Sequence, residues 1–343
     1  MAGRLAWIVT ASLLVPASAM ASGSPKALDF LARVRANDCG ASAAASARRF
    51  VVGDEVLGRV LPQAAAVLAR FPERFDVDAA AVTLRDEPDW RGPGLVAARS
   101  AAVAAVLDEL RADGSVPMLA GWRDEAFAIR PSFYSPARVV VERAAGPLFG
   151  VPAYGCFANG YVCDGGDGTR PTHLWLGRRA DDKPTWPGLL DCLAAGGLAA
   201  GESPTKGMAK ECAEEAGVPA ALAARLTSVG GVSYTGFNPD GWGIKSDVLF
   251  NFDLPLEPAF RPACVDGEVA EFKLMPVADV AELLASPEPL FKPNVGVVLI
   301  DFMVRHGFVD PDEEGYIELM GALRSGVALS GAGRPEGSSV IPN

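Results

Sequence analysis

Histidine is nearly missing from this 343-residue chain: only His173 and His306 are present. That excludes a multi-histidine metal centre. Cysteine is sparse as well, and the six residues (Cys39, Cys156, Cys163, Cys192, Cys212, Cys264) contain no Cys-x-x-Cys pair. They are too few for a disulfide scaffold and wrongly spaced for structural zinc. No apolar run reaches the roughly 18–20 residues that span a bilayer, so no membrane span is expected. Cations are in deficit: 31 Lys and Arg against 42 Asp and Glu leave a net charge of −11. Such a balance argues against a nucleic-acid partner. No internal repeat is visible.

What is present is the composition of a folded protein, with half the residues apolar and 21% charged. The length exceeds the size at which one core stops growing, which predicts two domains. At the start, Arg4 precedes an apolar run, Leu5–Val15, and a small-residue triplet, Ala17-Ser18-Ala19. Residues 1–19 therefore read either as a secretory signal peptide or as codons upstream of a true start at Met20.

Residues 27–145 mix helices and strands. Helical spacing covers Ala27–Asn37, Pro62–Arg70 and Leu95–Leu110, with short strands in Phe50–Val60 around Gly53-Asp54, at Phe127–Ile129 and at Arg138–Val141. From 146 onward the pattern changes. Strands are predicted at Tyr154–Val162, Thr172–Leu176, Ser246–Phe252 and Val269–Met275, and helices at Ser203–Ala216, Val277–Leu284 and Val295–Val304. The glycine run at 163–168 reads as a hairpin loop. A phosphate cradle is the rival, but no helix follows it. Residues 326–343, with Gly, Ser and Pro frequent, read as a disordered tail.

The stretch Gly196–Val218, GGLAAGESPTKGMAKECAEEAGV, carries the chemistry. It fits G-x5-E-x7-[R/K]-E-U-x-E-E-x-G-U, where U is apolar. At average composition a chance fit is on the order of one in a billion per start. Ser203 is placed to cap the helix, Pro204 to open it and Gly217 to end it. Glu211, Glu214 and Glu215 follow i, i+3, i+4, which puts all three on one helical face. Ala209, Cys212, Ala213 and Ala216 lie opposite and are small enough to pack on a sheet. Like charges at that spacing destabilise a helix by about 0.2–0.5 kcal/mol per pair. A divalent cation reverses the sign, and clustered carboxylates suit Mg²⁺, with Mn²⁺ the alternative.

This stretch resembles the signature of the Nudix hydrolases, whose fold is a mixed sheet between helices. The resemblance implies an α+β architecture: a Nudix fold at 146–325 preceded by a smaller α+β domain at 27–145. It implies cleavage of a diphosphate bond, with Glu211, Glu214 and Glu215 as metal ligands. Glu202 and Lys210 would form a supporting ion pair, between Gly196 and Gly217 at the ends of the box. Lys210 stands where the family has Arg, which keeps the charge but loses the planar fork.

Thr172–Arg179, Lys183, Trp186-Pro187-Gly188, Leu190-Asp191, Phe149–Gly155 and Phe291–Asn294 look like the Nudix proteins related to thiamine pyrophosphokinase. The region before them resembles the uncharacterised domain that precedes Nudix in that group. This resemblance, over about residues 27–320, implies hydrolysis of oxidised thiamine diphosphates to monophosphates, a metabolite-repair role. The alternatives are a Nudix hydrolase of a nucleoside diphosphate derivative such as ADP-ribose, and a Nudix ligand sensor without turnover.

Arg178, Arg179 and Lys183 are candidate phosphate contacts, with plain surface charge as the alternative. Trp186 is a candidate for stacking on a heterocycle, or a loop anchor. In Nudix enzymes a carboxylate outside the box often supplies a ligand or the general base. Glu268, ahead of Glu271, is the candidate here, alongside Glu211 and Glu215. Cys212 reads as a core residue, and both histidines as structural. The expected partner is a small diphosphate, with a homodimer left open. A cytoplasmic protein starting near Met20 is expected, because the resemblance begins after that point; export through a signal peptide is the alternative.

Overall fold

The computed structural model describes residues 25–164, 170–199, 201–238 and 240–326. Residues 1–19, the tail beyond 326 and most of the glycine run at 163–168 lie outside the described residues.

The first half of the chain begins with α1 (Ala27–Asn37) and α2 (Ala41–Ser46), followed by β1 (Arg48–Val52), β2 (Glu55–Val60), α3 (Pro62–Leu68), β3 (Phe75–Val77) and β4 (Ala81–Leu84). Then come α4 (Leu95–Asp113), β5 (Ala126–Ile129), β6 (Val139–Glu142) and α5 (Gly146–Phe149). Strands order as β2-β1-β4-β3, with β1 parallel to β4, and β5 pairs β6 separately. Phe50, Leu68, Leu107, Leu110 and Phe149 are among the residues of its core.

The second half contains β7 (Pro152–Val162), β8 (His173–Arg179), β9 (Leu190–Asp191), β10 (Ala194–Gly197), α6 (Pro204–Ala216) and α7 (Ala220–Ala223). β11 (Thr227–Phe237), β12 (Ile244–Pro255), β13 (Val269–Pro276), α8 (Val277–Ala285), α9 (Pro293–Arg305) and α10 (Tyr316–Ala322) complete it. One mixed sheet runs β11-β12-β7-β8-β13, with β10 added to β7 and β9 to β8. Alternation along β7 sends Cys156 and Ala158 to one face and Phe157 to the other. The first face packs on α6 through Met208, Cys212 and Ala216. The second packs on α9, whose residues from Asn294 to Met303 are all buried. A helix apolar on every side belongs in the middle of a core, and α9 lies between the sheet and other helices.

α1 precedes the first core in sequence but packs in the second. Ala27, Phe30, Leu31 and Val34 join Phe302 and Leu319 in the cluster that covers the sheet. Asp38, just past α1, accepts from the Thr235 amide at 2.6 Å, which ties the helix end to β11. The helical spacing of Leu28, Leu31, Ala32 and Val34 predicts the helix, but Leu28 and Ala32 turn outward, and the spacing does not specify the surface that covers the others.

The helix of the box is bounded as its sequence predicts. Pro204 sits in its first turn and Gly217 closes it with φ +62°. That left-handed conformation favours glycine, and the Val218 amide then reaches back to the Cys212 carbonyl at 3.0 Å. Ser203 occupies the N-cap position, but its side chain makes no capping bond. The buried face is also not the expected one. Gly207, Met208, Cys212, Glu215 and Ala216 are buried, whereas Ala213 is exposed.

Candidate active site

The three glutamates of the box do not share one environment. Glu215 is only 8% exposed, and its Oε2 accepts from the Ala195 amide on β10 at 2.8 Å. Glu211 lies over Gly196: a Cβ there would fall 2.2 Å from the Glu211 carboxyl carbon. Glycine at 196 is therefore a requirement of close approach. Glu214 turns to solvent and pairs with Lys210 at 3.5 Å. The i, i+3, i+4 spacing is kept, but the sheet receives only Glu211 and Glu215.

Burial pushes the Glu215 carboxyl up to about 8, reinforced by the negative charges of Asp191, Glu211 and Glu268 and opposed by the Ala195 hydrogen bond. Burial also raises the Glu211 carboxyl, while Lys210 pulls it down. Glu268, just ahead of β13, contributes negative charge at both glutamates, and its Oε2 lies 2.6 Å from Lys183 Nζ. Glu271, the second carboxylate of that segment, instead pairs with Arg178 at 3.1 Å and Lys273 at 3.3 Å. Of the two, Glu268 is the one that faces the box.

The expected ion pair between Glu202 and Lys210 is not formed. Glu202 folds onto its own loop and accepts from the Ala199 amide at 3.2 Å, while Lys210 finds Glu214 one turn along the helix. Lys is flexible enough to take the nearer partner, whereas the fork of Arg favours a planar two-point contact.

The cations between β8 and the box are mostly committed to carboxylates. Arg178 pairs with Asp181 at 2.6 Å and Glu271, and Lys183 with Glu268. Arg179 is buried: Nη1 donates to Asp191 at 3.0 Å, Nη2 to the Thr185 carbonyl and Nε to the Trp186 carbonyl. It braces the loop that carries Lys183 and Trp186. Trp186 itself has φ +56° and is 36% exposed. Backbone strain at a bulky residue whose carbonyl is held by Arg179 puts an aromatic ring at the surface.

Asp191 and Lys292 carry no role in the sequence reading, although both lie in motifs it quotes. The structure pairs them at 3.2 Å and sets the Lys292 ammonium 5.4 Å from the Phe157 ring centroid. Despite burial, Lys292 and Arg179 hold the Asp191 carboxyl below its usual range. Only their separation in sequence, 101 residues, hid the contact. Cys212 is a core residue whose thiol burial pushes up to about 12, as Cys156 is. His306 is held by Asp253 at 2.8 Å and His173 by Thr172 at 3.0 Å.

Among the described residues no three His, Cys, Asp or Glu side chains stand close enough together to form a finished metal cage. The donor set nevertheless fits a divalent cation. Glu215 is a nearly buried carboxylate next to the negative charges of Asp191, Glu211 and Glu268, and it lies beside Glu211 over a cradle that glycine keeps open. Oxygen donors of this kind suit Mg²⁺.

Residues 159–295 match the NUDIX domain family, and residues 29–153 match a domain of unknown function, DUF4743. The second half of the chain is thus a Nudix domain, and the whole is a mixed α+β protein in which an additional domain precedes the Nudix fold. Its relatives include "Nudix hydrolase 20, chloroplastic" of Arabidopsis thaliana, 44% identical over 227 residues, and "Nudix hydrolase 24, chloroplastic" of the same plant, 43% identical over 228. Each alignment takes in 66% of this chain and spans 58% and 60%, respectively, of the relatives' own lengths. Among solved structures, the MutT protein of Methanosarcina mazei Go1 is 18% identical, with 45% of this chain and 94% of that one covered at a TM-score of 0.32.

Proposed function

We propose that this chain is a Mg²⁺-dependent hydrolase of diphosphate bonds, acting on oxidised thiamine diphosphates to give the monophosphates. The observation that carries the hydrolase reading is the pair of carboxylates, Glu211 and Glu215, set against β10 with Glu268 adding negative charge from outside the box. Glu211 and Glu215 would hold the ion, with Glu214 of the same helix a peripheral donor, since it is half exposed and paired with Lys210. Mg²⁺ neutralises phosphoryl oxygens and lowers the pKa of water when bound. The protein's part is to position carboxylates and to move a proton. Glu268 is the carboxylate suited to take the proton of the attacking water, because it adds negative charge at the box from outside and Lys183 at 2.6 Å orients it. Water oxygen then bonds to phosphorus, the anhydride oxygen leaves with its electron pair, and two phosphate groups separate.

The thiamine reading draws its support from the motifs around Thr172–Arg179, Trp186–Gly188 and Phe291–Asn294. Trp186 is the exposed aromatic of the loop Lys183–Asp191. Its ring is suited to stack on a heterocycle. Tyr234 and Trp242 are engaged elsewhere: Tyr234 is buried against Asp247 and Trp242 packs on the first core.

Oxidised thiamine diphosphates are expected to give a higher kcat/KM than thiamine diphosphate or ADP-ribose. The diphosphate is common to all, so discrimination comes from the ring. A polar group left unpaired costs about 1–3 kcal/mol, a preference of roughly ten- to hundredfold. Phosphate release at saturating Mg²⁺ across these substrates tests both levels. A nucleotide preferred by tenfold defeats the thiamine reading alone. Binding without turnover of any diphosphate defeats the hydrolase reading in favour of a sensor.

We further infer that the protein acts in the cytoplasm, since the proposed substrate derives from an intracellular cofactor. Fractionation of native protein checks this; protein found outside the cytoplasm overturns it.

A further inference from the structure

The first half of the chain reaches the strand of the box. Strand β10 pairs β7 in register, Gly196 with Cys156 and Gly197 with Gly155. Adjacent residues of a strand point to opposite faces. Glu211 covers Gly196 on the α6 face, and on the opposite face Arg143 covers Gly197: a Cβ there would fall 1.8 Å from Arg143 Nη2. Arg143 follows β6, so it belongs to the first half of the chain. Its Nη1 donates to Glu125 at 2.9 Å across an exposed ion pair, and its backbone amide donates to the Glu125 carbonyl. This anchors the guanidinium from one side and leaves Nη2 against the box strand.

The same region grips the α6 face. Arg130 stacks over Phe133 and Tyr154, at 4.9 and 5.7 Å from their centroids, and Phe133 lies 4.8 Å from Tyr154 and 5.2 Å from Phe250. The Tyr154 carbonyl accepts from Leu198, the residue after Gly197. The first domain therefore holds the β7–β10 end on both faces, and Arg143 keeps a fixed place in that grip.

We propose that Arg143 is a substrate-contacting residue, supplied by the first domain to bind the phosphate oxygens of a diphosphate. This rests on the hydrolase reading above. Charge supports it. Arg178, Arg179 and Lys183, the candidate phosphate contacts upstream of the box, are each paired with carboxylates, and Arg179 is buried. Arg143 shares one exposed carboxylate, a contact worth little in water and easily exchanged for a doubly charged phosphate. Gly197 has no side chain to screen the guanidinium from the strand edge.

The test uses the full chain with Arg143→Ala, Arg143→Lys and Glu125→Gln, each checked for folding by circular dichroism and Tm. Binding of methylenediphosphonate, which cannot be hydrolysed, is measured by calorimetry with Mg²⁺, beside KM and kcat on a diphosphate substrate. Arg143→Ala is expected to weaken the probe and raise KM by about ten- to hundredfold, with a smaller change in kcat. Arg143→Lys falls between, because it keeps charge without the fork. Glu125→Gln breaks the same ion pair but frees Arg143, and is expected to leave binding unchanged or tighter. If Glu125→Gln weakens binding as Arg143→Ala does, the arginine is only a strut and the proposal fails. It fails equally if folded Arg143→Ala binds the probe as wild type does. If wild type hydrolyses no diphosphate, the hydrolase reading falls, while the probe still decides whether Arg143 binds phosphate.

Discussion

Glu215→Gln is expected to lower Mg²⁺-dependent turnover by several orders of magnitude while the protein stays folded. The amide keeps the size of the side chain and an oxygen that can accept from Ala195, so the contact of α6 with β10 survives. It removes the negative charge that suits the position to a hard cation. The control is on the same helix. Glu214 is half exposed and paired with Lys210, so Glu214→Gln is expected to cost far less. Steady-state phosphate release and circular dichroism of the two variants check this. Near-normal turnover by a folded Glu215→Gln protein would remove the metal-site assignment.

The second large effect is on stability, and it runs opposite to that of a salt-bridged carboxylate. The Glu215 carboxyl has a folded pKa of about 8 against an ordinary value of 4.5. The folded state therefore holds a proton that the unfolded chain releases. Stability from this group is fully present below pH 4.5 and is lost as pH rises to about 8. At roughly 1.4 kcal/mol per pH unit, the loss is on the order of a few kcal/mol in chelator-treated protein. Glu215→Gln removes this dependence, so the metal-free variant is expected to melt above wild type at pH 8. Mg²⁺ binds the carboxylate and not the acid, so it is expected to raise the wild-type Tm strongly at pH 8 and little at pH 5. It should leave Glu215→Gln nearly unmoved. Calorimetric scans from pH 5 to 9, with EDTA or Mg²⁺, check all three. A Tm of metal-free wild type that rises from pH 5 to 8 relative to Glu215→Gln would show that Glu215 is ionised without a cation.

Both effects depend on a division within the box that its spacing does not contain. Glu211, Glu214 and Glu215 are equivalent on a helical wheel. The sheet distinguishes them, because β10 passes beneath Glu211 and Glu215 and not beneath Glu214. The supporting pair is a similar case. A charge opposite a charge eight residues earlier is only one contact among several within reach of a lysine, and Glu214 is nearer.

The sequence by itself determined the local structure of this protein. The helix Ala27–Asn37 is read from the helical spacing of Leu28, Leu31, Ala32 and Val34, and the box helix from Pro204 and Gly217 at its ends. Capping, turn chemistry and periodicity act over a few residues, so they are complete in the sequence. Elements with weak local signals escaped it. β3 has three residues, and β11 runs through Gly230 and Gly231, so neither shows alternation. Only the tertiary structure decided where α1 is buried, since an apolar stripe fits any apolar surface. It alone decided that Arg179 braces a loop, that Asp191 meets Lys292, and that Arg143 lies on Gly197. A charged side chain takes whichever partner the sheet order brings within a few ångströms. That order is fixed by burial summed over both faces of the sheet, which no short stretch of the chain encodes.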